Sequence, residues 1–298
     1  MGTDGVALDR IRALPCWQGG VTAEPLKGGL SNESWKVADG AGAWVVRFGV
    51  DFPWHHVSRA HEAMVARAAA EAGFGPRVLW SGPGVLVTQF LGARTWTEAD
   101  MRAAPDRIGA ILARFHRQMP AHVSGAPAIF WVFHTHRDYA RTLAGTALPP
   151  GVDLARLMEV NAALEAAQAP MPIIFGHNDL LPGNFLDDGE RLWLIDFEYA
   201  GFGTAMFDIA GAAGNAGMAP DGEDRLLLAY FGAEPGPDLR RSFAAMTCAA
   251  LLREALWALV SARHMAAPGA DYGAHATDYL GRLSSALDLY QTRYGKLT

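Results

Sequence analysis

Gly176-His177-Asn178-Asp179-Leu180-Leu181-Pro182-Gly183-Asn184-Phe185-Leu186, followed after a short gap by Leu194-Ile195-Asp196-Phe197-Glu198, decides the reading of this chain. Asp, Asn, Pro and Gly are common in any turn between strands, for backbone reasons alone. The whole string says more than its parts. Phosphoryl transfer from ATP needs a carboxylate to accept the proton of an attacking hydroxyl, and oxygen ligands that hold Mg²⁺ against the phosphates. Asp179 supplies the first, and Asn184 and Asp196 supply the second. Four residues separate Asp179 from Asn184, the spacing of a loop whose base and metal-binding amide share one cleft. Glu198 adds a carboxylate near the metal or the acceptor, with an ordinary salt bridge as its other reading. His177 reads as a hydrogen-bonded scaffold residue.

On either side of this loop, Pro172–Phe175 and Leu192–Ile195 are short apolar runs that read as flanking strands. Around that island the helical period dominates, over Ala103–Gln118, Asp153–Gln168, Gly222–Phe231, Asp238–Arg263 and His275–Tyr294. The N-terminal third differs. Glu24 to Val37 reads as two strands joined by a Gly-Gly turn, Trp44–Phe48 as a third, and Ser58–Ala72 as an Ala-rich helix capped by Ser58 and stopped at Gly73. Arg77–Trp80 and Val85–Phe90 close that unit as two more strands. The pattern predicts an α+β chain of two lobes: residues 1–91, an antiparallel sheet with one main helix that binds ATP, and residues 92–298, a mainly helical lobe carrying catalysis and the acceptor.

Between the first two predicted strands, Gly28, Gly29, Ser31 and Asn32 form a turn of small residues that lets backbone N–H groups approach a phosphate, although a plain hairpin has the same look. Arg47 follows on the third strand. From there a guanidinium can meet the phosphates while pairing with a helix carboxylate, for which Glu62 is the candidate.

Composition narrows the classes. Of 298 residues 50% are hydrophobic and 19% charged, which suits a packed core, and a net charge of −6 excludes the basic face of a nucleic-acid binder. Cys16 and Cys248 stand far apart, so neither a disulfide framework nor a zinc knuckle is expected, and His55 and His56 have no partner at ligand spacing. A cytoplasmic protein without a membrane span is the expectation. The longest apolar stretch, about Phe243 to Val260, is broken by Arg253 and Glu254 and reads as a buried helix.

The chain resembles the choline/ethanolamine kinase family, within the aminoglycoside phosphotransferase group of protein-kinase-like folds. The likeness rests on GGLSN (Gly28–Asn32), VVRFG (Val45–Gly49), HNDLLPGNFL (His177–Leu186), IDFEYA (Ile195–Ala200) and FDIA (Phe207–Ala210). It implies ATP and Mg²⁺ as cofactors, Asp179 as the base, Asn184 and Asp196 as metal ligands, and Arg47 in place of the lysine usual in protein kinases. It also makes Gln89 and Leu91 the hinge positions that face adenine. For the acceptor, the resemblance implies a small hydroxylated cation, such as choline or ethanolamine, held by aromatic faces. Of the family's paired tryptophans only the second is matched, by Trp257. Glu254 stands where the first would be, and Asn215 near where the family often carries an acid. Trp257, Tyr199 and Tyr272 can equally be core aromatics, and Arg253 with Glu254 a self-satisfying pair. Other acceptors on the same machinery, of the aminoglycoside, thiamine or methylthioribose type, and a silent nucleotide-binding module are the alternatives.

Overall fold

The computed structural model describes residues 3–26, 33–265 and 270–297, with side chains from residue 6 onward. A first helix, α1 (Thr3–Arg12), precedes five strands and one helix: β1 (Thr22–Pro25), β2 (Glu33–Asp39), β3 (Gly42–Phe48), α2 (Arg59–Glu71), β4 (Val78–Gly82) and β5 (Val85–Gln89). The strands form one antiparallel sheet in the order β1-β2-β3-β5-β4. Residues 27–32, with the sequence candidates Gly28, Gly29, Ser31 and Asn32, lie outside the described residues.

Alternation along β3 explains how this sheet serves two purposes. Trp44, Val46 and Phe48 are buried on one face, where they join Trp35, Val37, Val87 and, from α1, Ala7 and Ile11 in a small core. Val45 and Arg47 therefore point to the opposite face, because successive side chains on a strand change sides. The sequence left the N-terminal segment unassigned; Ile11, fully buried, is what docks it. On the other side α2 packs through Val65, Ala68 and Ala69, and the same helix turns Glu62, 2% exposed, toward the sheet.

The second lobe begins with the two-residue strand β6 (Arg94–Thr95) and is mostly helical: α3 (Glu98–Ala103), α4 (Pro105–Gln118), α5 (Val132–Leu143) and α6 (Leu154–Ala166). After four short strands, β7 (Ile173–Gly176), β8 (Phe185–Asp187), β9 (Leu192–Leu194) and β10 (Gly201–Thr204), come α7 (Ala205–Ala216), α8 (Pro220–Phe231), α9 (Pro237–His264) and α10 (Tyr272–Tyr294). The α+β class expected from the sequence is the one observed. Three helices of this lobe were not read from the sequence: α3, which ends where the expected Ala103–Gln118 helix begins, and α5 and α7. Helix α7 is apolar nearly all round, so the amphipathic period is absent.

The strands around the Asp179 loop also pair differently from the expectation. β7 pairs with β10, and β9 with β8, so the two predicted runs belong to separate small sheets. Helix α9 is the axis of the lobe, packed against α5, α7 and α10. By length and composition it could cross a bilayer, contrary to the sequence reading that no run reaches that length. Its most apolar window is 83% buried inside the protein, as a core helix's is.

Candidate active site

A cleft of about 610 Å³ lies between the sheet and the helical lobe. Its walls include Arg47, Glu62, Gln89, Leu91, Asp179, Asn184, Asp196, Glu198, Glu254 and Trp257, ten sequence candidates drawn from positions 47 to 257. Asn215 is not in that wall. It is 5% exposed behind the loop, donating from Nδ2 to the Leu180 carbonyl (3.3 Å) and accepting from Tyr279 Oη (3.5 Å). The expectation that it faces the acceptor is corrected: its amide is spent supporting the loop.

The loop owes its shape to backbone chemistry. Asn178 (φ 63°) and Asp196 (φ 66°) sit in the left-handed region, which Asn and Asp tolerate better than other non-glycine residues. Asn178 fixes its turn by donating from Nδ2 to the Tyr199 carbonyl (3.0 Å). The N–H groups of His177 and Asn178 each donate to Asp208 at 2.7 Å. Asp208, on α7 and 1% exposed, also meets Nε2 of His116 at 2.8 Å, and Nδ1 of His116 meets Tyr230 Oη at 2.8 Å. Burial opposes the charge of Asp208, but His116 and His177 with its N–H together outweigh it and hold the carboxyl below its usual range. His177 is fully buried with Nε2 3.0 Å from the Ile195 carbonyl, and burial lowers its pKa, so it is a neutral scaffold group.

From Asp179 the chain winds through a 3₁₀ turn over Pro182–Asn184, which returns Asn184 beside Asp179. Asn184 Nδ2 donates to the Asp179 carbonyl (2.8 Å) and to Asp179 Oδ2 (3.1 Å). That commits the amide nitrogen and leaves Oδ1 as the atom Asn184 offers to a cation. Burial raises the Asp179 carboxyl well above its ordinary range, against the pull of Arg253 and with a further push from Glu254 and Asp196.

Ion pairs join the lobes across the cleft. Arg47 pairs with Glu62 on α2 and, 2.6 Å away, with Oδ1 of Asp196. Arg59 donates from Nη1 to Glu62 Oε2 (2.7 Å) and to Glu198 Oε2 (2.8 Å). The chain of charges therefore runs Asp196, Arg47, Glu62, Arg59, Glu198, alternating in sign throughout. Burial followed by the nearby Asp196 charge raises the Glu198 carboxyl, with Arg59 opposing. At the end of β5, Gln89 donates its N–H to Arg77 O (2.8 Å) and Phe90 to Ala43 O (2.9 Å), which holds that strand extended along the cleft.

On the far side of Asp179 stands Arg253, a residue the sequence paired only with Glu254. Its Nη1 reaches Asp179 Oδ1 (3.2 Å) as well as Glu254 Oε1 (2.5 Å). Burial works against its charge, but Glu254 and Asp179 outweigh that and keep the guanidinium protonated. Trp257 donates from Nε1 to Tyr199 Oη (3.0 Å), and Tyr272 and His275 of α10 stand edge-on to its ring. Arg59 and Arg253 were not among the sequence's site candidates; Arg59 is only three residues from Glu62, and that spacing on α2 was the available signal.

Among known proteins, the model of the phosphotransferase enzyme family matches residues 22–257. A probable ethanolamine kinase of Arabidopsis thaliana is 31% identical over 172 residues, 51% of this chain and 44% of that protein. A choline/ethanolamine kinase of Mus musculus is 30% identical over 165 residues, covering 50% and 40%. The chain thus spans less than half the length of these curated relatives. Among solved structures, a choline/ethanolamine kinase family protein from Mesorhizobium loti superposes with a TM-score of 0.78 at 29% identity, over 96% of this chain and 95% of that one. The sequence's resemblance therefore points to the group in which these relatives fall, and the fold is that of the Mesorhizobium loti protein over nearly its whole length. With most of its length matched by one family model, the protein belongs to the phosphotransferase enzyme family.

Proposed function

We propose that the protein transfers the γ-phosphoryl group of MgATP to the hydroxyl of a small amino alcohol of the choline or ethanolamine kind. The observation that carries this reading is the convergence of Asp179, Asn184, Asp196 and the Arg47–Glu62 pair in one cleft. ATP lies along the residues 1–91 lobe, with adenine against Gln89 and Leu91 and the phosphates toward Arg47. The acceptor enters from the residues 92–298 lobe, past Glu198, Glu254 and Trp257.

Asp179 orients the acceptor hydroxyl and takes its proton as the oxygen attacks in line; the new bond is acceptor oxygen to Pγ, the broken bond is Pγ to the β-bridging oxygen, and ADP leaves. A carboxyl raised by burial suits that role, since a base works best with its pKa nearer the operating pH. Arg47 supplies fixed positive charge where negative charge spreads over the phosphoryl oxygens. Asn184 Oδ1 and the Asp196 carboxylate fit Mg²⁺, a hard cation that takes few protein oxygens and completes its shell with phosphates and water. When bound there it would neutralise phosphate charge.

The acidic groups near the acceptor are largely paired already, Glu198 with Arg59 and Glu254 with Arg253. That balance suits one ammonium better than a polycation such as an aminoglycoside. The test is ADP release with MgATP against ethanolamine, choline, thiamine, methylthioribose and an aminoglycoside. Turnover with an amino alcohol supports the reading. Turnover with another acceptor alone replaces the substrate, and silence across the panel with ATP still bound replaces the enzyme reading with a nucleotide-binding module.

A further inference from the structure

The acceptor end of the cleft already contains a cation. Arg253 is 2% exposed, and its Nη1 spans the two carboxylates that an incoming ammonium would otherwise meet, Asp179 and Glu254. Its guanidinium carbon lies 4.3 Å from the centroid of the Tyr199 ring. A ring face that holds one cation does not offer the same face to another.

The other aromatic groups are similarly engaged. Trp257 is 9% exposed, tilted against His55 at 5.4 Å and flanked edge-on by Tyr272 at 5.9 Å and His275 at 5.8 Å. His275 is itself stacked on Tyr279 at 4.6 Å. A quaternary ammonium, which has no N–H and is recognised by ring faces, therefore meets a Tyr199 face already held by Arg253 and a Trp257 ring already flanked by three aromatic neighbours. One polar acceptor is left differently placed. Glu254 gives Oε1 to Arg253, while Oε2 faces His275 Nε2 at 3.8 Å, an ion-pair contact when that imidazole is protonated but too long for a hydrogen bond. Both Glu254 and His275 line the cleft. His275 Nε2 is buried without a hydrogen-bond partner, so this corner holds unused hydrogen-bonding capacity.

We infer that Arg253 is a specificity-determining residue, which covers the Tyr199 face and leaves Glu254 Oε2 to accept from an ammonium that carries N–H donors. The cleft is thereby built for amino alcohols whose ammonium keeps an N–H and against fully methylated ones. This inference rests on the amino-alcohol kinase reading. The physical asymmetry is that a buried carboxylate oxygen facing a methyl group loses its hydrogen bond with nothing in return.

The test is kcat/KM for 2-aminoethanol and its mono-, di- and trimethylated forms, with the wild-type chain and with Arg253→Met and Arg253→Lys. For wild type, kcat/KM falls as methyl groups are added, by about 100-fold or more at the last N–H. Arg253→Met uncovers Tyr199 and removes the internal cation, so the ratio of trimethylated to unmethylated acceptor rises at least about tenfold, whatever the loss in absolute rate. Arg253→Lys keeps the cation and restores part of the wild-type ratio, which a merely structural role would not do. Because a buried unpaired charge can prevent Arg253→Met from folding, the wild-type series stands by itself. Equal or better use of the trimethylated acceptor by wild type overturns the inference, as does an unchanged ratio in Arg253→Met. If wild type phosphorylates no member of the series, the amino-alcohol reading itself fails.

Discussion

Nη1 of Arg47 lies 2.6 Å from Oδ1 of Asp196, across the cleft and 149 residues away in sequence. Arg47 also pairs with Glu62, so one guanidinium ties strand β3, helix α2 and the segment after β9 together. Arg47→Ala leaves Glu62 buried without this partner and removes a cation from the phosphate path. ATP affinity measured by titration calorimetry should fall at least about tenfold, the size of one lost charge-assisted hydrogen bond. Arg47→Lys should lose less, because the point charge remains while the fork is lost. Unchanged ATP affinity in Arg47→Ala would remove Arg47 from the nucleotide site.

Asp208→Asn keeps the shape of a buried side chain and discards its charge. The amide cannot accept from the N–H groups of His177 and Asn178 and from His116 as the carboxylate does. Loss of about 3–5 kcal/mol of folding stability is expected, as for one partner removed from a buried pair. Urea denaturation reads it; an unmoved midpoint would mean that the loop does not depend on this anchor.

The local strings were legible because their partners are close in sequence. Asp179 and Asn184 flank one turn, and Asp196 follows β9 by two residues, so the motif itself carries the geometry. The roles of Arg59 and Arg253 arise from contacts with Glu198, 139 residues away, and Asp179, 74 residues away, which no local pattern encodes. Asn215 misled for a related reason: being near the site in sequence order does not say which way a helix turns its side chain. Pairing of β7 with β10 was hidden because Gly201–Thr204 has little strand character.

Two buried imidazoles set a pH dependence of stability. Burial lowers the pKa of His55 to about 3 and that of His136 to about 4. In the unfolded chain both titrate near 6.5. Above pH of about 6.5 they are neutral in both states and contribute no slope. Between about 6.5 and 4 only the unfolded chain takes up protons, so stability falls with acid by about 1.4 kcal/mol per pH unit for each imidazole. His136→Gln should flatten that slope by about one proton, measured as denaturation midpoints across the range. An identical slope in the variant would contradict this assignment.

If Asp179 takes the proton of the acceptor hydroxyl, Asp179→Asn should stop the chemistry and spare binding. The variant retains volume and hydrogen-bonding capacity next to Asn184 but cannot accept a proton at the carboxyl. Rates of ADP release with MgATP and the preferred acceptor, measured beside ATP affinity, separate chemistry from binding. A fall in kcat of about 100-fold or more is expected, with ATP affinity within about threefold of wild type. Undiminished turnover in Asp179→Asn would contradict it.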